Sequence, residues 1–301
     1  MEREREGAGL LLDEEFLRKL ERLHFLLKLK ARGRLRGQPG GIHHSPRAGM
    51  SLEFADYKRY SPGDDFRYVD WKIYGRLDRL LIKVFTREEE LPIYLLLDRS
   101  GSMEIGGKFA YMVQLAAALA YLGLKDFDRV GIYAFAGGLD EGLPPRGGTR
   151  QLFQLFRYLE GLSPSGASRI NRALGEFAAR RGESGFLLLL SDMLTSEGYE
   201  EGLLQLLWGG FEVAIVQLLA EEDLDPLPAG EVLLRDAEGA GQRELYLDEA
   251  AAAAYRRRLE GYLARLRAFC LAHGIEHLLL PVSVPLERAI FELLRERAIL
   301  R

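Results

Sequence analysis

From residue 80 onward, short apolar runs alternate with longer stretches of helical periodicity. Runs with the length and composition of buried strands occur at Leu80–Phe85, Ile93–Leu97, Val130–Phe135, Phe186–Leu190, Val213–Leu218 and His277–Leu280. Helical patterns fill the intervals at Lys108–Leu124, Arg150–Leu159, Arg169–Arg180, Tyr199–Leu207, Asp248–His273 and Pro285–Ala298. Strand–helix–strand order with strongly apolar strands predicts an α/β fold: a doubly wound, mostly parallel sheet with helices on both faces. Two pairings are expected to be antiparallel. Leu80–Phe85 and Ile93–Leu97 are joined by too few residues for a crossover, which predicts a hairpin at the sheet edge. Glu231–Leu234 and Glu244–Leu247 flank a turn containing Gly239 and Gly241 and read as a second hairpin.

Upstream, Phe16, Leu17, Leu20, Leu23 and Leu27 fall near helical spacing, with Asp13 as N-cap and Glu14 and Glu15 in the first turn. This predicts a helix over Glu14–Lys30 that fades into the glycine- and arginine-rich stretch Arg32–Gly41. Three segments result: a helix with a basic linker over 1–41, a segment rich in Asp, Arg and aromatic residues over 42–90, and an α/β domain over 91–301.

Composition narrows the picture. Of 301 residues, 48% are hydrophobic and 29% charged, a globular balance. Lys and Arg number 41 against 45 Asp and Glu, and the net charge of −4 hides two opposed blocks. Arg18–Arg47 carries about +8 and Glu221–Glu249 about −8. The total argues against a surface shaped throughout for nucleic acid, and no aromatic residue interleaves with the charges of Arg32–Gly41. The single cysteine, Cys270, excludes an internal disulfide and fits a reducing compartment. No apolar run reaches the ~18–20 residues of a membrane span, and Met1–Glu6 lacks the character of a signal peptide. The expectation is a cytoplasmic protein with no membrane segment.

The segment Leu95–Met103 carries the most chemistry. Asp98 ends an apolar strand, and Ser100 and Ser102 follow at alternate positions, so one carboxylate and two hydroxyls can converge above the strand. Ligands of open α/β sheets bind beyond such strand ends. A hard, oxygen-only donor set suits Mg²⁺ or Mn²⁺; the alternative is a strand-end and helix-capping role for the same residues. Further oxygens are available from Ser168, in a glycine loop before a helix, and from Asp192, which follows another apolar strand. Other chemistries lack their motifs: no phosphate-binding G-x-x-x-x-G-K-[ST] loop and no G-x-S-x-G nucleophile elbow occurs. His43 and His44 have no Cys or carboxylate at local ligand spacing, and Cys270 and Met103 read as packing residues.

Between Tyr60 and Trp71 the chain runs through Pro62-Gly63-Asp64-Asp65 to Asp70. Pro62-Gly63 predicts a turn, and the three aspartates need nearby cations, which Arg59, Arg67, Lys72 and Arg76 can supply. The plain reading is a salt-bridged brace that packs Tyr60, Phe66, Tyr68 and Trp71 against the sheet edge; a partner surface and a second metal site are the alternatives.

The Asp98-x-Ser100-x-Ser102 string, with Ser168 and Asp192 on later loops, resembles the metal-ion-dependent adhesion site of von Willebrand factor A domains. The resemblance implies that Ser100 and Ser102 ligate the metal directly, and that Asp98 and Asp192 act directly or through water. Ser168 stands where that family has threonine, keeping the hydroxyl without the methyl. It also implies that an open coordination position takes an acidic residue of a protein partner, so the metal serves binding and not catalysis. The Tyr60–Trp71 string, Lys83-Val84-Phe85 with Glu88, and Asp126–Gly131 resemble the family named domain of unknown function 58, a von Willebrand factor A-like branch, from about Ile42 to the C-terminus. That resemblance implies a MoxR-type AAA+ ATPase as partner and a role as non-catalytic adaptor or co-chaperone. A metal-assisted hydrolase would need a general base, and no histidine lies near Asp98 or Asp192 in sequence. A metal-free scaffold is the remaining alternative.

Overall fold

The structure is a computed structural model that describes residues 16, 18–22, 52–61, 64–87, 92–125, 128–180, 182–224, 230–235 and 241–290. The chain divides into two compact units, Arg34–Glu90 and Met1–Gly33 with Leu91–Arg301.

In the smaller unit, β1 (Leu52–Arg59) and β2 (Leu81–Arg87) pair antiparallel, with a register shift between Phe54 and Asp56. A short 3-10 turn, Phe66–Tyr68, and helix α1 (Trp71–Leu77) connect them. The expected hairpin between Leu80–Phe85 and Ile93–Leu97 is therefore corrected: the first run belongs to β2 and takes its partner from β1. The second lies in β3 (Pro92–Asp98), whose two edges are both filled by parallel neighbours. Every residue of β3 is buried, as befits a central strand covered on both faces.

The larger unit is built on β3, β4 (Arg129–Phe135), β5 (Leu143–Arg146), β6 (Phe186–Ser191), β7 (Glu212–Leu219) and β10 (Glu276–Pro281). Their order across the sheet is β10-β7-β6-β3-β4-β5, parallel except for β5. The expected strands did not include β5, whose Pro144 and Pro145 an edge strand tolerates. Gly131 of β4 makes that edge possible, since a Cβ there would sit 2.8 Å from Pro145 N and 2.9 Å from Leu143 O.

The period-two alternation of β3 sorts its side chains into two cores. Ile93, Leu95 and Leu97 pack with Met112, Leu115 and Leu122 of α2 (Lys108–Lys125) and Leu155 and Phe156 of α3 (Thr149–Glu160). Tyr94 and Leu96 pack with Ile170 and Phe177 of α4 (Ile170–Ala178), Leu203 and Leu206 of α5 (Glu200–Trp208), and Leu266 and Cys270 of α6 (Glu249–Ala272). Helices thus cover both faces of a mostly parallel sheet. Met103 and Cys270 are buried in these cores. Helix Gly101–Lys125 has the length and apolarity of a membrane span, and much of its surface forms the first core.

The remaining pair, β8 (Gly230–Arg235) and β9 (Gln242–Leu247), forms the expected antiparallel two-stranded sheet, with Glu231 opposite Tyr246 and Leu233 opposite Glu244. Phe16 and residues 18–22 include helical positions, and Leu20 is buried in the first core. The rest of the expected helix Glu14–Lys30, the basic linker, His24, His43, His44, Pro62 and Gly63 lie outside the described residues. So does most of the final expected helix, of which residues 286–290 are helical.

Candidate metal centre

The chain runs from β3 outward to β4 and β5, then returns to the other side of β3 for β6, β7 and β10. The strand order therefore reverses between β3 and β6, and a crevice at such a reversal is where ligands of open α/β sheets bind. The two strands are in register with Leu97 opposite Leu190, so Asp98 and Ser191 emerge side by side.

Asp98 is fully buried and surrounded by donors from three loops. Its Oδ1 accepts the Ser100 N–H at 2.9 Å. Its Oδ2 accepts the hydroxyls of Ser191 at 2.6 Å and Ser168 at 3.2 Å. The Ser100 and Ser102 hydroxyl oxygens lie 3.1 Å apart. Ser100 is buried and Ser102 only partly so, which leaves the Ser102 side of the cluster nearest to solvent. Burial pushes the Asp98 carboxyl up to about 6, helped by the negative charge of Asp192, while hydrogen bonds from Ser191 and Ser100 pull the other way. An anion held in this way, with hydroxyl oxygens beside it, is a donor set that a hard divalent cation fits.

The loop carrying Ser168 is pinned by backbone bonds to its neighbours. Gly101 N–H donates to Gly166 O at 2.9 Å, Ser165 N–H to Arg99 O at 2.7 Å, and Arg169 N–H to Ala136 O at 2.9 Å. On the rim, the Arg99 guanidinium pairs with Asp140 at 2.5 Å and also donates to the Ser165 hydroxyl.

Asp192 is arranged differently. Met193 adopts a left-handed backbone (φ 56°) that few buried side chains accept, and the turn it makes aims two groups at once. Its N–H donates to the Ser191 hydroxyl at 2.9 Å, while the Leu194 N–H donates to Asp192 Oδ1 at 3.0 Å. Asp192 Oδ2 accepts from Lys108 Nζ at 2.8 Å, and the same ammonium lies 2.8 Å from Asp223 Oδ2. Lys108 has no exposed side-chain surface. Burial alone would lower its pKa, but attraction to Asp192 and hydrogen bonds to Asp192 and Asp223 outweigh that and raise it. Gln217 Nε2 donates to the Asp192 carbonyl at 2.9 Å, and His277 Nε2 lies 3.0 Å from Gln217 Oε1.

All five residues proposed from sequence thus come from loops at one end of the sheet. Asp98 gathers Ser100 and Ser168, Ser100 adjoins Ser102, and Asp192 is near enough to raise Asp98 yet is itself held by a lysine. No group of three or more His, Cys, Asp or Glu side chains able to hold a metal occurs among the described residues, and the side chains that bond Asp98 are the hydroxyls of Ser168 and Ser191. Sequence reasoning missed Ser191, Lys108 and Asp223. Lys108 did leave a signal. It opens the first turn of an 18-residue helix, where a cation opposes the helix dipole and needs a specific anion.

The aspartates of the smaller unit have local tasks. Asp64 pairs with Lys58 at 2.6 Å, Asp65 pairs with Arg67 at 2.6 Å, and Asp70 caps α1 through the N–H groups of Lys72 and Ile73. Arg67 is one of the cations expected to serve them, and Lys58, which was not among those expected, pairs with Asp64. Phe66, Tyr68 and Trp71 are exposed, and the Phe66 ring lies 4.9 Å from that of Tyr60.

These features define the class: a mixed α/β protein with a six-stranded, mostly parallel sheet flanked by helices, and a buried carboxylate–hydroxyl cluster at its strand reversal. Residues 56–265 match the family described as protein of unknown function DUF58, and the chain belongs to that family. It is 28% identical over 263 residues to the uncharacterised protein Rv1480 of Mycobacterium tuberculosis, covering 82% of this chain and 81% of that protein. Its identity to the uncharacterised protein YeaD of Bacillus subtilis is 27% over 197 residues, 64% of this chain and 44% of that one. Among solved structures it is similar to the conserved hypothetical protein BatB from Bacteroides thetaiotaomicron, with a TM-score of 0.43 and 16% identity over 68% of this chain and 98% of that one.

Proposed function

We propose that this chain is a metal-dependent protein-binding module of von Willebrand factor A-like type, with Asp98, Ser100, Ser102 and Ser168 holding Mg²⁺ or Mn²⁺ and Asp192 acting behind them. The observation that carries this reading is the burial of Asp98 against the Ser100 N–H and the hydroxyls of Ser168 and Ser191, at the strand reversal. A carboxylate buried this deeply, with its pKa raised, is costly in the absence of a cation, and a divalent ion would offset that cost. Bound there, the ion would supply Lewis acidity toward an acidic side chain of a partner protein. The chain's own residues orient the donors: the Ser100 N–H fixes one Asp98 oxygen, and Ser168 and Ser191 fix the other.

Binding is favoured over turnover because the histidine joined to this network faces Gln217 and is pushed down to about 4 by burial. Its link to the cluster runs only through the Asp192 carbonyl. The partner class implied by the family resemblance, a MoxR-type AAA+ ATPase, is the first protein to test, with this chain as its adaptor.

The test is calorimetric titration of MgCl₂ into the native chain and into Asp98→Ala, followed by association with the MoxR-type ATPase in MgCl₂ or EDTA. Heat of binding in the native chain alone, with association lost in EDTA, is the expected result. No binding of Mg²⁺ or Mn²⁺ by the native chain, or full binding by Asp98→Ala, would overturn the proposal.

A further inference from the structure

Among the described residues of the larger unit, Lys108 is the most completely buried charge that the donor set above does not use. Its ammonium is shared between Asp192 and Asp223, at 2.8 Å from each. Both acceptors are fixed from behind. Asp192 Oδ1 takes the Leu194 N–H, while Asp223 Oδ2 also takes the Ala220 N–H at 2.9 Å. The Asp223 carbonyl in turn accepts the Tyr255 hydroxyl of α6 at 2.7 Å. The approach of this loop to the turn before α2 depends on Gly106 (φ 61°), where a Cβ would lie 2.2 Å from the Ala220 Cβ. Lys108 therefore sits in a cage whose walls cannot easily withdraw. Asp98, by contrast, is contacted by one N–H and by hydroxyls, and a hydroxyl can turn its lone pairs toward a cation.

Accepting the metal-binding reading, on which this step rests, we infer that Lys108 is a positioning residue that keeps Asp192 out of direct contact with the cation. Asp98 is then the one anionic ligand, and the cation keeps a surplus positive charge that an outside carboxylate satisfies. Charge balance points the same way. The Lys108 ammonium already offsets one of the two charges of Asp192 and Asp223, so within the donor set Asp98 alone acts against the two charges of the cation. Removing the ammonium would free Asp192 to approach the cation and would remove a repulsive neighbour. The metal would then bind more tightly alone and respond less to a partner. The caged lysine would thus tie cation binding to the arrival of the acidic partner.

The experiment measures MgCl₂ binding with and without sodium acetate, as a stand-in for the partner carboxylate, in the native chain, Lys108→Met, Lys108→Met/Asp223→Asn and Lys108→Arg. The double variant removes one positive and one negative charge together, which protects folding; thermal melts establish that each protein is folded. In the native chain and Lys108→Arg, acetate should tighten Mg²⁺ binding about tenfold. In the folded Met variants, Mg²⁺ alone should bind about tenfold more tightly than in the native chain, and the acetate effect should fall below about threefold. Native-like affinity and native-like acetate coupling in those variants would overturn the inference while leaving the metal reading intact. Absence of Mg²⁺ binding by the native chain would remove both. A second measurement needs no substitution: in native protein carrying ¹⁵N-lysine, the Lys108 ammonium signal should persist at saturating MgCl₂. Its loss would show the ammonium displaced from Asp192 and would overturn the inference.

Discussion

Two regions of this chain are dense in aspartate and cation, and they use them in opposite ways. In the smaller unit, Asp64, Asp65 and Asp70 find partners two to thirteen residues away, and the two ion pairs lie at the surface. In the larger unit, Asp98 and Asp192 each take one N–H from two residues away, but their side-chain partners lie 70 to 93 residues away and both carboxylates are buried. The first arrangement shapes turns and helix ends. The second gathers charge from distant segments at the reversal of a sheet, where a ligand can act on it. Burial and sequence separation, more than the density of charge, separate a scaffold from a site.

The sharpest way to break this contrast is to delete one cation from each region. Lys108→Ala leaves Asp192 and Asp223 buried without their counter-ion, and the cost should be about 3–5 kcal/mol. Lys58→Ala removes only an exposed pair and should cost less than about 1 kcal/mol. Urea denaturation of both variants checks this; equal costs would mean that the buried triad is not the structural knot its geometry implies.

Next in size is the effect on cation binding. Asp98→Ala should weaken Mg²⁺ binding at least about 100-fold, as expected when a charged ligand is lost. Asp65→Ala should leave it unchanged, because Asp65 serves only the Arg67 turn. A shared loss of binding would show that the smaller unit takes part in the site.

The two regions also differ in how much of each was legible in the sequence. Strand-end aspartates and the alternate serines were visible because period-two alternation and apolar runs mark where strands stop. Ser191 was hidden in its strand, since nothing local shows that its hydroxyl turns toward Asp98. Asp223 read as one more charge in an acidic block, and only the fold brings it to Lys108. The β2–β3 hairpin was misread for a related reason: a short connection permits an antiparallel turn, yet the apolar continuity of β3 demands two parallel neighbours. In the smaller unit an ion pair to Arg67 was readable from the string, while the cap made by Asp70 and the exposure of Trp71 and Phe66 were not.

Acidity should separate the regions again. The Asp98 carboxyl is raised to about 6, so between pH 4 and 6 the folded chain binds a proton that the unfolded chain has already lost. The Asp98 contribution to stability is therefore greatest below about pH 4 and is lost as pH rises through 6. Comparing the native chain with Asp98→Asn by urea denaturation at pH 4 and pH 7, without divalent cations, should show a difference that changes by about 1–3 kcal/mol. The sign is opposite for Asp64 and Asp65, which bonds from Lys58 and Arg67 hold below the ordinary carboxylate range. Their contribution is present above the ordinary pKa and fades as pH falls through the lowered value. Both are exposed, so solvent screening keeps that effect small.

The smallest expected effect concerns Asp70, the buried one among the smaller unit's aspartates whose burial is described. Asp70 Oδ1 accepts the Lys72 and Ile73 N–H groups at 3.0 and 3.2 Å, and its Oδ2 accepts the Tyr57 hydroxyl at 3.0 Å. The same residue thus starts α1 and ties it back to β1. Asp70→Asn keeps an acceptor at the cap and should cost only a few tenths of a kcal/mol, whereas Asp70→Ala should cost about 1 kcal/mol. Tyr57→Phe removes the strand contact alone and should fall between the two. Mg²⁺ affinity should be untouched in all three variants, because the Lys72, Ile73 and Tyr57 bonds of Asp70 stay within the smaller unit. A capping aspartate that altered cation binding would erase the distinction between local and long-range carboxylates drawn from the geometry.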